Sequence, residues 1–114
     1  MTAMQGAGSL FGRDVGVLFR RLADASFGFA AAVEGDRRSG MDREGGLAEA
    51  RTALEGFLTL ELGSDFAVPR HVRDHVTHSL DALGDGKVEL AQHDAQRAGE
   101  EFERHLITLR RLSH

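Results

Sequence analysis

Residues 68–102 read VPRHVRDHVTHSLDALGDGKVELAQHDAQRAGEEF, and this stretch decides the fold class. Apolar residues recur every three or four positions on both sides of a Gly-Asp-Gly turn at residues 84–86, which is the spacing of a helix face. Pro69 suits the first turn of the earlier helix, with Ser64 or Asp65 near its start. Two amphipathic helices joined by so short a turn are typical of antiparallel neighbours.

The same period extends over the rest of the chain and predicts four helices. The first begins at the N-cap residue Asp14, ends at Gly35, and has the apolar face Val15, Leu18, Phe19, Leu22, Ser26, Phe29 and Val33. The face of the second helix is Leu47, Ala50, Leu54, Phe57, Leu58 and Leu62. That of the third is Val68, Val72, Val76, Leu80 and Leu83. That of the fourth, which runs from about Lys87 to Leu112, is Val88, Ala91, Ala95, Ala98, Phe102, Leu106 and Leu109.

These patterns predict an all-α protein, an up-and-down antiparallel four-helix bundle, because no segment alternates as a strand does. Residues 1–12 hold three glycines and little periodicity, so we expect a flexible leader there. Residues 13–114 are expected to form a single helical-bundle domain. The polar, glycine-rich residues 35–46 are interpreted as a loop between the first two helices.

Composition excludes several classes of function. The 114 residues suffice for one small domain, and the absence of Cys excludes disulfides and thiolate chemistry. The net charge is −4 and no basic stripe is present, so no nucleic-acid partner is expected. Neither a secretory signal nor a membrane span is evident, which makes a cytoplasmic protein the default. No nucleophile elbow or phosphate loop occurs, so we predict no enzyme and no cofactor.

Three histidines are the first candidate for chemistry. His71, His75 and His78 share one side of the third helix, since they are four and three residues apart. The spacing of His71 and His75 suits chelation of Zn²⁺ or Ni²⁺, and His105 of the fourth helix is a candidate further ligand. A metal- or haem-binding bundle is therefore the alternative function, beside the simpler interpretation of a polar flank.

Apolar residues outside the predicted core faces are the second candidate. A partner surface is predicted from five of them: Phe11, Phe27, Leu60, Leu90 and Ile107. Exposed apolar residues on several helices indicate either an oligomer interface or a groove for a protein partner. A homodimer that buries Leu10, Phe11, Phe27, Leu60 and Ile107 is predicted on the same grounds.

The order and spacing of these elements resemble the flagellin-binding export chaperones of bacterial flagella. The pair Leu18-Phe19 corresponds to that family's Leu-Tyr pair, and Gly35-Asp36 to its Gly-Asp exit from the first long helix. Residues 47–54 resemble the family's second long helix, and residues 71–102 its closing helix pair. The resemblance implies a small acidic bundle in the cytoplasm that clamps a segment of an export substrate, without catalysis. The sequence thus predicts a non-enzymatic helical binding module, an export chaperone or adaptor for an amphipathic segment of a partner protein.

Overall fold

The computed structural model describes residues 12–34, 43–64 and 66–112 of the chain. Its helices are α1 (Gly12–Glu34), α2 (Arg43–Gly63), α3 (Arg70–Gly84) and α4 (Val88–Leu112), and no strand occurs in the described ranges. The predicted all-α four-helix bundle is confirmed. Gly12, assigned from sequence to the leader, is the first residue of α1, and Phe11 lies outside the described residues.

Each helix packs on the next along the chain, and α4 closes the bundle against α1. The most extensive pairings are α1 with α2 and α3 with α4, whereas α2 and α3 meet least. The pairing of α3 with α4 is antiparallel. His75 contacts Asp94, whereas His71, which precedes His75 by about one turn of α3, contacts Glu101, which follows Asp94 by about two turns of α4. The bundle therefore has the up-and-down course that the short connections predicted.

The core runs along the bundle axis and is built from apolar residues of all four helices. Its largest fully buried side chains are Phe29, Phe57 and Phe102. Helix α4 contributes Phe102 itself and also Ala91, Ala95 and Ala98, all of them fully buried. A core that combines bulky rings with small side chains lets helices approach closely while the interior stays filled.

The pairing of α1 with α2 depends on two glycines that face each other. A Cβ added at Gly28 would lie 2.6 Å from the carbonyl oxygen of Gly46, and one added at Gly46 would lie 2.6 Å from that of Gly28. Both distances are to backbone atoms, which cannot move aside as a flexible side chain does. The helices reach this separation only because neither position carries a side chain.

The start of α2 differs from the prediction. Residues 35–46 were interpreted as a loop, but α2 begins at Arg43, so residues 43–46 are helical. Arg43 also reaches back to α1, where its Nη1 donates a hydrogen bond of 3.5 Å to the carbonyl oxygen of Ala32. Glycine disfavours a helix interior by about 1 kcal/mol relative to Ala, but at Gly46 the close helix contact offsets that cost.

The connection before α3 also differs from the prediction. Helix α3 begins at Arg70, and the carbonyl oxygen of Pro69 accepts hydrogen bonds from the backbone of Val72 and Arg73. Ser64 does not cap α3, because its Oγ accepts a bond of 3.0 Å from the backbone N–H of Phe66 within the connection. Asp65 lies outside the described residues.

The predicted turn between α3 and α4 is present. Gly86 has φ +76°, a left-handed conformation that favours glycine. The backbone N–H of Lys87 donates a 2.8 Å bond to the carbonyl oxygen of Ala82, which closes the end of α3. Nearby, fully buried Ser79 donates a 2.7 Å hydrogen bond from its Oγ to the carbonyl oxygen of Ala91. This bond ties α3 to α4 inside the core.

The predicted core faces are correct along their centres and wrong at some edges. Phe19 and Val33 are 39% and 40% exposed, and Leu62 is 85% exposed. Phe19 and Val33 lie on the side of α1 that turns toward α4, where the bundle leaves open space. In the described part of the chain, none of the helices combines the length and the apolar character that crossing a membrane requires.

Candidate functional site

An apolar groove opens between α1 and α4, with a volume of about 410 Å³. It is lined by Phe19, Leu22, Ala23 and Ser26 of α1 and by Gln96, Gly99, Glu100 and Glu103 of α4. In each helix these positions follow one another at intervals of one to four residues, so they form a continuous side of the helix. We call this surface the α1/α4 groove.

Small residues keep the α1/α4 groove open. An added Cβ at Gly99 would meet nothing within 4 Å, and Ala23 of the α1 lining carries only a methyl group. The wall toward the N-terminal end of α1 is the ring of Phe19, which packs at 6.1 Å against the buried ring of Phe102. The groove is therefore a gap between two well-packed helices, with an aromatic side chain anchored at its edge.

The two walls of the groove differ in charge. Its α1 wall carries no charged residue, whereas the α4 wall carries Glu100 and Glu103. Arg97 approaches Glu100 at 3.4 Å, but it lies closer to Glu101, at 3.1 Å. No cation of the described residues is within ion-pair distance of Glu103. The groove thus presents an apolar floor with negative charge along one side.

The α4 wall continues into a second concavity of about 510 Å³, which shares Glu100 and Glu103 with the groove. Ile107, 45% exposed, lies in this extension together with Arg104, Thr108 and Arg111. Arg104 is directed partly toward Glu101, at 3.5 Å. Among the described residues, Ile107 is thus the one apolar residue that lines this extension, and the charged residues along it change from glutamate to arginine.

The residues predicted to bind a partner occupy separate places. Phe27 and Leu90 are about half exposed, at 52% and 50%, whereas Leu60 is half-buried against the core. Leu90 lines a different concavity, of about 610 Å³, where Val33 of α1 meets the first turn of α4. Among these described residues only Ile107 adjoins the α1/α4 groove.

The lining of the groove was missed from sequence. Phe19 was assigned to the core face, and nothing singled out Ala23, Gly99 or Glu103. The sequence did contain one indication of the groove. Gly99 lies in the interior of a strongly amphipathic helix and does not end it. A glycine that the helix tolerates in its interior often marks a place where another chain or helix comes close.

The predicted histidine cluster forms pairs with α4 instead of a shared centre. The Nε2 of His71 lies 3.5 Å from Oε1 of Glu101, and the Nδ1 of His75 lies 3.2 Å from Oδ1 of Asp94. His78 is exposed. Within residues 12–34, 43–64 and 66–112, no group of three or more His, Asp or Glu side chains is placed to hold a metal ion. Among these described residues, the three histidines of α3 therefore do not meet at one metal centre.

His105, the candidate further ligand, is partly buried beside the ring of Phe66, at 6.0 Å between centroids. Desolvation lowers the pKa of His105 below its usual 6.5, and the neighbouring His71 lowers it further because two positive charges repel. Protonation of His105 is therefore less favourable in the folded protein than in the unfolded chain. His105 lies where α4 packs against α3, and we call this contact region the α3/α4 interface.

Comparison with known proteins does not assign this chain to a family. No protein-family model, curated protein or solved structure shows significant similarity to it.

Proposed function

We propose that this protein is a non-enzymatic helical binding module that takes an amphipathic segment of a partner protein into the α1/α4 groove. The observation that carries the proposal is the exposed ring of Phe19 beside the open positions Ala23 and Gly99. Water-exposed apolar surface in a concave site between two helices suits the apolar face of a third helix.

The packing around the groove supports this role. The ring of Phe19 packs against the buried ring of Phe102, so the wall is already in place before a partner arrives. A preformed wall reduces the ordering cost of binding, since few side chains have to change rotamer. The finer form of the proposal is a cytoplasmic chaperone or adaptor for an export substrate, which follows from the resemblance to the flagellin-binding export chaperones.

The proposal includes self-association through a second surface, which is separate from the α1/α4 groove. Phe27 is 52% exposed on α1 and is not part of the groove lining. We place the contact of a homodimer at Phe27 and the contact of a partner in the α1/α4 groove. The two surfaces can therefore be tested independently, each with its own variant.

A matched pair of glycine variants tests the groove. Gly99→Gln places a long polar side chain on the floor, whereas Gly16→Gln makes the same change on α1 outside the groove. Both sites have open space around an added Cβ, so both variants are expected to fold. The three proteins are immobilised and used to capture partners from an extract of the source cells.

A protein retained by the wild type and by Gly16→Gln, and lost with Gly99→Gln, is the expected result. Retention of the same proteins by all three would contradict a role for the groove. Circular dichroism of each variant confirms that any loss of capture does not come from unfolding.

A further inference from the structure

The charges along the α1/α4 groove define the chemistry of its occupant. We propose that the groove selects a cationic amphipathic helix, whose Lys or Arg side chains lie along α4 opposite Glu100 and Glu103. This inference rests on the proposed function, since it specifies the partner of the same groove. The apolar floor gives affinity for any amphipathic helix, and the two carboxylates decide which one binds.

The charge distribution around the groove is one-sided. Glu100 and Glu103 are the only charged residues of the lining, and both are acidic. Arg97 neutralises Glu100 in part at 3.4 Å, so Glu103 carries the larger share of the unpaired charge. An acidic segment in this position would place its carboxylates beside Glu103, and the like charges would repel. The carboxylate of Glu103 attracts a cationic segment instead.

The basic residues nearby do not cancel this preference. Arg20 and Arg21 of α1 line a different concavity, which they share with Asp24. Arg104 and Arg111 line the extension, and Arg104 is directed partly toward Glu101, at 3.5 Å. Arg111 follows Glu103 by eight positions on α4, which is about 12 Å along the helix axis.

This separation fixes the register of the occupant. Its cation is expected opposite Glu103 and not opposite Arg111, and an apolar residue is expected over Ile107, which lies between them. The net charge of −4 on the whole chain acts in the same direction, because it attracts cationic segments at longer range. The partner chemistry is therefore an apolar helix face flanked on one side by Lys or Arg.

Two synthetic peptides test the selection. Both are amphipathic helices of about five turns with Leu at the spacing of one helix face; the polar positions are Lys in one and Glu in the other. Their binding to the full chain is measured by fluorescence anisotropy at low ionic strength. We expect the Leu/Lys peptide to bind at least about tenfold more tightly than the Leu/Glu peptide.

Charge reversal at one residue supplies the matched control. Glu103→Lys is expected to weaken binding of the Leu/Lys peptide about fivefold or more and to strengthen that of the Leu/Glu peptide. Glu55→Lys makes the same change in net charge on an exposed residue of α2 and is expected to alter both affinities only slightly. Equal binding of the two peptides, or equal effects of the two substitutions, would overturn the inference.

The peptides also separate failure of this inference from failure of the proposed function. If the two peptides bind with equal affinity, and Gly99→Gln weakens both while Gly16→Gln weakens neither, the groove binds helices but does not select their charge. If Gly99→Gln and Gly16→Gln behave alike with both peptides, the groove is not the binding site and both proposals fail. A dimer in light scattering that Gly99→Gln dissociates would show that a second copy of the chain fills the groove, which also overturns the cationic partner.

Discussion

The ring of Phe19 lies 6.1 Å, centroid to centroid, from the ring of Phe102 and joins the groove wall to the centre of the core. Phe102 is fully buried and contacts two further rings, those of Phe57 at 6.1 Å and Phe66 at 5.9 Å. Phe19 is the most exposed member of this cluster, and Phe66 is half-buried. The same aromatic cluster therefore stabilises the bundle and holds the apolar wall of the groove in position.

Truncating the two rings is expected to have different consequences. Phe102→Ala removes a fully buried side chain and should lower the free energy of unfolding by about 3–5 kcal/mol. Phe19→Ala should cost clearly less, because part of its ring is already in water, but it should weaken binding of the Leu/Lys peptide. Urea denaturation followed by circular dichroism measures the first effect and fluorescence anisotropy the second. Equal losses of stability in the two variants would contradict this division of roles.

The contact between Gly28 and Gly46 predicts that alanine is harmful at either position. A methyl group would overlap backbone atoms of the facing helix, so Gly28→Ala and Gly46→Ala should each destabilise the protein by about 1–3 kcal/mol. This loss is expected despite the gain in helix propensity of about 1 kcal/mol that alanine brings. Thermal and urea unfolding provide the measurement.

Alanine at Gly16 and Gly99 is the matched control. Nothing lies within 4 Å of an added Cβ at either site, so these substitutions should stabilise the protein by up to about 1 kcal/mol. If all four alanine variants were stabilised alike, the close approach of α1 and α2 would be wrong.

The helices could be predicted from the spacing of the apolar residues, because that spacing follows from burial of one side of each helix. The prediction failed where the decisive feature was a missing side chain. Gly46 was interpreted as part of a loop, although a glycine facing Gly28 is what lets α2 begin at Arg43. A local pattern cannot tell a glycine that ends a helix from one that admits a neighbouring helix.

Only part of the candidate site could be predicted, because its shape also depends on small residues of a neighbouring helix. Ile107 was recognised because it is apolar and off the core face, and it does adjoin the groove. Phe19 was not recognised, since it follows Leu18 within the apolar period and looks like a core residue. Whether such an edge position is covered depends on the size of the residues on the neighbouring helix, and the α4 lining of this groove includes Gly99. That arrangement exists only in the folded bundle.

Self-association through Phe27 is expected to be separable from binding in the groove. The full chain should form a dimer at high micromolar concentration, and Phe27→Ser should shift it toward the monomer, because exposed apolar area would no longer be buried between copies. Light scattering at several concentrations measures this. Leu90→Ser is the control, since it removes a similarly exposed apolar side chain from another face. A monomeric wild type would refute the dimer.

The surroundings of His105 at the α3/α4 interface predict that the free energy of unfolding depends on pH. Burial first, and then the charge of His71, lower the pKa of His105 in the folded protein below 6.5. As the pH falls below about 6.5, the unfolded chain therefore binds a proton at this residue more readily than the folded chain does, and folding loses stability. The loss is complete once the pH is below the lowered pKa, and it is absent well above 6.5.

Substitution of His105 isolates this contribution. The free energy of unfolding of the wild type relative to His105→Gln is expected to fall between about pH 7.5 and about pH 5.5, because only the wild type has this proton to bind. Taking the difference removes the constant cost of altered packing against Phe66. His71→Gln should reduce the pH dependence, since it removes one of the two causes, whereas His93→Gln, at an exposed site of α4, should preserve it. A difference between wild type and His105→Gln that stays constant over this range, or rises toward low pH, would show that the surroundings of His105 do not disfavour its charge.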